Sequence, residues 1–173
     1  MTPDPPPHHS SRASVAYRRR SVLLTGITLG IGIIGFVDEA LLHQVLQWHT
    51  FYWGTDERGR ILSDGVFHIF STLVLLWGVY RLWQAPRHGL RHSGHELIAA
   101  MLIGAGGFNT FDGLVDHLVL HVHLVNERVC SVVDANNSIA SCPQDVPYEA
   151  AFTAIGLMLL IRGIVSWRAT AES

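Results

Sequence analysis

Four long apolar segments dominate this 173-residue chain and limit what it can fold into. They cover residues 21–47, 65–83, 97–120 and 148–167. At a rise of ~1.5 Å per residue, a helix of each length can cross the hydrocarbon core of a bilayer, which is about 30 Å thick. The composition agrees, because 49% of the residues are hydrophobic and only 15% are charged. We therefore expect an all-α integral membrane protein with four transmembrane helices.

The first and third segments carry the same polar frame, so that the second copy lies 74 positions after the first. Each frame has one aspartate and two histidines: Asp38, His43 and His49, then Asp112, His117 and His123. The second and fourth segments match in another register, which pairs Asp64 with Glu149 and Gly78 with Gly163. Each repeat contains two spans, so both copies have one orientation across the membrane. This predicts two parallel-oriented helical-hairpin repeats about a pseudo-twofold axis along the membrane normal.

The two ends of the chain differ from the membrane domain. Residues 1–20 begin with a proline-rich stretch that cannot build a core, so we expect a disordered leader there. The membrane domain then covers residues 21–168, and residues 169–173 form a short tail. The first apolar segment is too long for a signal peptide and lacks a small-residue cleavage site, so we expect it to be retained as a span.

Basic residues predict the orientation. All twelve are arginines, and only Arg58, Arg60 and Arg128 lie in the connections after the first and third spans. The positive-inside rule then places both termini in the cytoplasm. The connection between spans three and four lies outside, where Cys130 and Cys142 can oxidise to a disulfide. Two free thiols, or thiol ligands of a metal, are the alternatives.

The repeated frame predicts a binding pocket. At ~100° per residue, its polar groups and the nearby glycines fall on one half of each helix. Spans one and three should therefore face each other across a central seam. Span two adds Asp64 and His68 on one face. These groups all lie in the outer half of the bilayer, so we expect an outward-facing histidine and carboxylate pocket rather than a proton wire.

Imidazoles beside carboxylates are typical of transition-metal sites. The expected ligands are five histidines: His43, His68 and His117 at similar depth, with His49 and His123 nearer the mouth. The polar groups expected around them are Asp38, Asp64, Asn109, Asp112, Asp116, His121 and Glu149. Copper or zinc suits such nitrogen-rich ligation, and a haem between His43 and His117 is a less favoured alternative.

The leading interpretation is a non-catalytic metal-binding membrane protein. Its expected partners are the lipid bilayer and an extracytoplasmic or respiratory metalloenzyme that receives the metal; the net charge of −2 gives no sign of nucleic-acid binding. Three alternatives stay open. The frame could stabilise the bundle by hydrogen bonds without any cofactor. The protein could be a haem-binding redox protein, or an ion or proton transporter, which would need polar residues in the inner half as well.

Five short motifs point to a family. They are Gly-Phe-Val-Asp at 35–38, His-Gln-Val-Leu-Gln-Trp-His at 43–49, Asp-Gly-Val-Phe-His at 64–68, Phe-Asn at 108–109 and Asp-Gly-Leu-Val-Asp-His at 112–117. Over residues 22–168 the chain resembles a bacterial family of predicted membrane proteins, domain of unknown function 2243. The resemblance implies a four-span protein of the inner membrane and no particular activity.

The family pattern also bears on the site. It includes positions that match Asp38, His43, His49, Asp64, His68, Asn109, Asp116, His117 and His123. This favours these residues over His121. The chain departs from the pattern at Asp112, where a glutamate is more usual, and in the long insertion from Cys130 to Cys142.

Overall fold

The computed structural model describes residues 12–88, 93–130 and 142–172. Within these ranges the chain is helical and has no β-strand. The long helices are α1 (Arg12–Asp38), α2 (Glu57–Gln84), α3 (Gly94–Phe111) and α4 (Val146–Glu172). A π-helical segment, Glu39–Val45, extends α1, and a second, Asp112–His117, extends α3. Four helical stretches are long and apolar enough to cross a membrane, which confirms the predicted fold class: Ala13–Val45, Glu57–Arg87, Gly94–His117 and Pro143–Thr170.

Helix α1 begins earlier than the sequence predicted. It starts at Arg12, inside the segment 1–20 that we expected to be disordered, while residues 1–11 lie outside the described part of the chain. Residues 12–20 contain no proline and are rich in arginine and alanine, which favour helix, so the apolar span continues into them. Helix α4 likewise continues to Glu172, through most of the expected tail.

The first and third spans end earlier than the predicted limits of 47 and 120. They stop at Val45 and His117. Shortly afterwards Gln47 and His121 both have a φ of 51°, in the left-handed region that ends helices. The two residues occupy the same position in the two repeats, so the repeat is present in the backbone as well as in the sequence.

Hydrogen bonds at these helix ends repeat in the same way. The Leu46 amide donates to the Leu41 carbonyl and the Leu120 amide to the Val115 carbonyl, each at 2.8 Å. Both bonds are one residue wider than those of an α-helix. The histidines that follow the widened turns, His49 and His123, are both buried, so the chain turns inward after each helix.

Glycines let α1 and α3 meet at the centre of the bundle. A Cβ atom on Gly30 would collide with the Met101 backbone, and one on Gly104 would collide with the Ile27 backbone. Only glycine permits such a close approach of two backbones. Helix α2 packs on the other side of α1, and α4 packs on α3.

The two hairpins also use the same internal contact. Gly78 of α2 lies against Leu29 of α1, and Gly163 of α4 lies against Ile103 of α3. The sequence repeat pairs these residues, Gly78 with Gly163 and Leu29 with Ile103. The architecture is therefore two similar helical hairpins joined along α1 and α3. Large apolar side chains cover the outside, as expected for contact with lipid: Ile61, Val66, Ile69, Leu73 and Leu76 on α2, and Ile155, Met158 and Ile161 on α4.

Candidate metal centre

The first repeat builds one half of a buried polar centre. The Nδ1 atom of His43 lies 3.1 Å from Oδ1 of Asp64, and Nδ1 of His49 lies 2.7 Å from the carbonyl oxygen of Val125. An Asp38 oxygen lies 3.4 Å from Nε2 of His43. Asp38, His43 and His49 can each offer one ligand atom, all within 4.8 Å of one another. We call these three residues the first half-site.

The second repeat builds the matching half. Nδ1 of His117 lies 3.0 Å from Oε2 of Glu149, and Nδ1 of His123 lies 3.0 Å from the carbonyl oxygen of Phe51. An Asp112 oxygen lies 3.7 Å from Nε2 of His117. Asp112, His117 and His123 again offer three ligand atoms within 4.8 Å of one another. These three residues form the second half-site.

The histidines of each hairpin are oriented by backbone carbonyl groups of the other hairpin. The carbonyl groups of Phe51 and Val125, which are equivalent in the repeat, each accept a hydrogen bond from a histidine of the other hairpin. The amides of the same two residues donate to Asp64 at 2.6 Å and to Glu149 at 3.2 Å. Each half-site therefore depends on a loop of the opposite hairpin, and the centre forms only when the hairpins associate.

The four imidazoles pack as one continuous group. The ring centroids of His43 and His49 are 4.3 Å apart, and those of His117 and His123 are 4.5 Å apart. Between them, the rings of His49 and His123 stack at 4.7 Å with an interplanar angle of 25°. We expected His49 and His123 nearer the mouth. They lie at the middle of the group because the turns at 47 and 121 lead the chain inward.

Hydrogen bonding leaves a second ring nitrogen available in the two histidines of the first half-site. A carbonyl oxygen only accepts, so the Nδ1 atoms of His49 and His123 carry the proton and their Nε2 atoms have lone pairs. The Nε2 atom of His123 lies 2.9 Å from Nε2 of His117. The Nε2 atoms of His43 and His49 are buried without a hydrogen-bond partner among the described residues. Burial and the neighbouring His43 lower the pKa of His49 to about 4. Burial, with His49 nearby, also lowers the pKa of His123, so both rings are neutral at pH 7.

One acidic residue breaks the symmetry. Glu39 is fully buried, and its Oε2 atom lies 3.3 Å from Nδ1 of His43. Its other oxygen accepts a hydrogen bond from Gln44 at 2.9 Å. The equivalent residue of the second repeat is Gly113. Glu39 was not among our candidate site residues, although its place on the polar half of the helix was the signal that could have found it.

The structure does not bring the three expected ligands His43, His68 and His117 together in one group. Among the described residues, His43 and His117 belong to different groups of potential ligands and His68 belongs to none. The His68 ring instead packs on Phe36, with centroids 5.5 Å apart. It lies one turn beyond Asp64 on α2, and its half-buried side chain is directed toward α1.

Three further candidates have other surroundings. The side-chain amide of Asn109 is buried and donates to the Phe152 carbonyl at 2.9 Å, which joins α3 to α4. Asp116 is half-buried and interacts with Asp112 at the edge of the second half-site. His121 is exposed, and its Nδ1 atom lies 3.1 Å from the His117 carbonyl. None of the three belongs to a ligand group within the described ranges.

A cavity of about 420 Å³ reaches the first half-site from the loop side of the bundle. Its lining includes His43, His49 and Asp64 together with Trp48 and Trp53. Glu127 and Arg128 lie at the same cavity. Burial raises the pKa of Glu127 to about 8, against the opposing effect of Arg60. The cavity gives a small ion a route to the histidines.

A disulfide and a buried carboxylate hold the loop after α3 in place. Cys130 and Cys142 form a disulfide, with Cα atoms 5.4 Å apart. The buried carboxylate of Asp145 accepts hydrogen bonds from the amides of Val125 and Asn126, at 3.2 and 2.8 Å. These contacts hold the Val125 carbonyl where it can orient His49. No sequence pattern pointed to Asp145.

The fold and the centre together define a class of protein. It is a multi-pass membrane protein of four apolar helices, and at one end of its central helix pair it buries four histidines among carboxylates. A family model described as "Predicted membrane protein (DUF2243)" matches residues 25–170. The chain belongs to this family. None of the curated proteins and none of the solved structures matches it.

Proposed function

We propose that this protein binds a transition metal in the centre between its two hairpins. The observation that carries the proposal is the set of free imidazole nitrogens. The Nε2 atoms of His43 and His49 are buried without a hydrogen-bond partner among the described residues, and that of His43 lies 3.4 Å from the carboxylate of Asp38. Their Nδ1 atoms lie within hydrogen-bond distance of Asp64 and of the Val125 carbonyl. Buried polar atoms normally have partners. A metal ion would supply one, and an oriented Nδ1–H is the usual support of a metal-binding histidine.

The types of ligand limit which metal ions suit the site. Two imidazoles and one carboxylate suit zinc, copper or ferrous iron rather than magnesium or calcium. The Nε2 atoms of His117 and His123 are 2.9 Å apart. Two ligands at about 2.0–2.1 Å from one ion, at roughly a right angle, have this separation. Copper and zinc remain the leading candidates.

The arginines favour a centre on the outer side of a bacterial inner membrane, with both termini in the cytoplasm. Arg18, Arg19, Arg81 and Arg87 lie at the ends of the helices opposite the centre. There Arg18 forms an ion pair with Glu96 at 2.6 Å. By the positive-inside rule this end faces the cytoplasm. The cavity beside His43 then opens outward, so the metal is exchanged with that side.

A non-catalytic role in metal handling agrees best with this geometry. The cavity brings an outer partner, such as an extracytoplasmic or respiratory metalloenzyme, within reach of His43 and His49. Haem is disfavoured, because the rings of His49 and His123 fill the space between His43 and His117. Transport is disfavoured, because α1 and α3 are in backbone contact at Gly30 and Gly104, in the inner direction from the centre.

Elemental analysis tests the proposal. The protein is purified in detergent without a polyhistidine tag, and copper, zinc, iron and haem are measured before and after incubation with Cu²⁺ or Zn²⁺. We expect bound metal that decreases in His43→Ala and in His117→Ala. His121→Gln is the matched control, because the equivalent residue of the first repeat, Gln47, has the same backbone conformation. A protein that contains no metal and takes up neither ion would refute the proposal in favour of a purely structural centre.

A further inference from the structure

We propose that the centre holds two divalent ions, one in each half-site, rather than a single shared ion. This inference rests on the proposed function, because it assumes that the centre binds metal. It concerns the number of ions and their places. Distances, ring orientation and charge support two ions.

Distances separate the two half-sites. Within a half-site the histidine ring centroids are 4.3 or 4.5 Å apart. Across the pseudo-twofold axis, His43 and His123 are 6.3 Å apart, and His49 and His117 are 6.2 Å apart. The rings of His49 and His123 are closer, at 4.7 Å, but they are stacked. Each aspartate also groups with the histidines of its own repeat. A third group of potential ligands, Glu39, His43 and Asp64, shares His43 with the first half-site. The four histidines therefore form two sets, one in each repeat, and each set with its aspartate offers three ligand atoms.

Ring orientation opposes a shared ion on the axis. The rings nearest the axis, His49 and His123, are stacked face to face with an angle of 25° between their planes. The lone pair of an imidazole nitrogen lies in the plane of its ring, so two stacked rings direct their lone pairs along each other rather than toward a common point. By contrast, His43 meets His49 at 78° and His117 meets His123 at 69°. Such edge-on pairs can converge on one ion.

Charge balance favours two ions. The centre buries five carboxylates: Asp38, Glu39, Asp64, Asp112 and Glu149. Within the described residues, the ion pairs of these carboxylates are with histidines and not with arginine. Buried charges without compensation are costly. Two divalent cations would supply four positive charges to compensate those of the five carboxylates that are ionised, whereas one would supply only two.

The stoichiometry of binding distinguishes the possibilities. Zn²⁺ is titrated into chelator-stripped protein in detergent, and bound zinc per chain is measured after gel filtration. We expect two equivalents in the unmodified protein, and one each in His43→Gln and in His117→Gln. A single equivalent, lost in either variant, would overturn the two-ion inference and leave the proposed function intact. The absence of any bound zinc or copper would refute both.

Copper spectroscopy on the unmodified protein gives a test that does not depend on the folding of variants. Two Cu²⁺ ions in adjacent half-sites interact magnetically, so the fully loaded protein should show a half-field electron paramagnetic resonance signal. The signal should be absent at low loading. A fully loaded protein with the spectrum of an isolated Cu²⁺ ion would overturn the inference.

Discussion

Replacing Asp64 with asparagine tests how the carboxylate behind a histidine controls metal affinity. Oδ1 of Asp64 lies 3.1 Å from Nδ1 of His43 and accepts a hydrogen bond from the Phe51 amide at 2.6 Å. Asparagine has nearly the same shape but no charge, so both bonds become neutral. Hydrogen bonds to charged groups contribute about 1.5–3 kcal/mol and neutral ones about 0.5–1.5 kcal/mol. The loss is therefore on the order of 1 kcal/mol for each bond.

This loss should appear in the metal affinity. The bond to His43 orients a ligand directly, and the bond to Phe51 positions the carbonyl that orients His123. A combined loss of about 2 kcal/mol corresponds to a roughly 30-fold weaker Kd. Losses of about 10- to 100-fold are typical when the supporting partner of a ligand is removed. Glu149→Gln should have a similar effect on the second half-site, because Glu149 has the same role there.

Zinc competition with a chromophoric chelator in detergent measures the effect. Asp56→Asn is the matched control, because Asp56 is exposed, caps α2 by accepting from the Gly59 amide at 2.8 Å, and can be replaced by an equally good cap. Its Kd should equal that of the unmodified protein. A Kd for Asp64→Asn within about two-fold of the control would refute the view that these carboxylates orient the ligands.

Three further predictions concern the contact between α1 and α3, the buried Glu127 and the disulfide. Gly104→Leu should lower the Tm, because overpacking costs about 1–3 kcal/mol. Gly107→Ala should leave the Tm unchanged, because a Cβ atom at Gly107 meets nothing within 4 Å. Equal effects of the two substitutions on the Tm would contradict the close contact of α1 and α3. Burial raises the pKa of Glu127 to about 8 from about 4.3 in an unfolded chain, so the folded protein retains a proton over this range and its stability should fall as the pH rises through it. Glu127→Gln should flatten this slope in Tm measurements from pH 4 to pH 9, and an unchanged slope would count against it. Replacing Cys130 and Cys142 by serine should lower the Tm by removing a constraint of about 3 kcal/mol on the unfolded chain, and an unaltered Tm would show that the disulfide contributes little.

Much of the centre could be predicted because equivalent positions of the two repeats have identical or similar residues. The pairing of Asp64 with Glu149 anticipated that each would have the same relation to its histidine, and the structure shows this for His43 and His117. The grouping of His68 with them could not be tested by pattern alone. His68 has the spacing of a residue on the Asp64 face, but helix packing directs its ring toward Phe36.

The sequence by itself determined the four spans, the two hairpins and the polar frame, because apolar length and repeated residues are local properties of the chain. Tertiary structure alone decided how the frame becomes two half-sites. The angular position of a residue around a helix axis predicts its neighbours only within the helix, and the chain leaves the helix at the left-handed residues Gln47 and His121. From there the positions of His49 and His123 depend on carbonyl groups of the opposite hairpin, distant in sequence, which only the packing of α1 against α3 brings into reach.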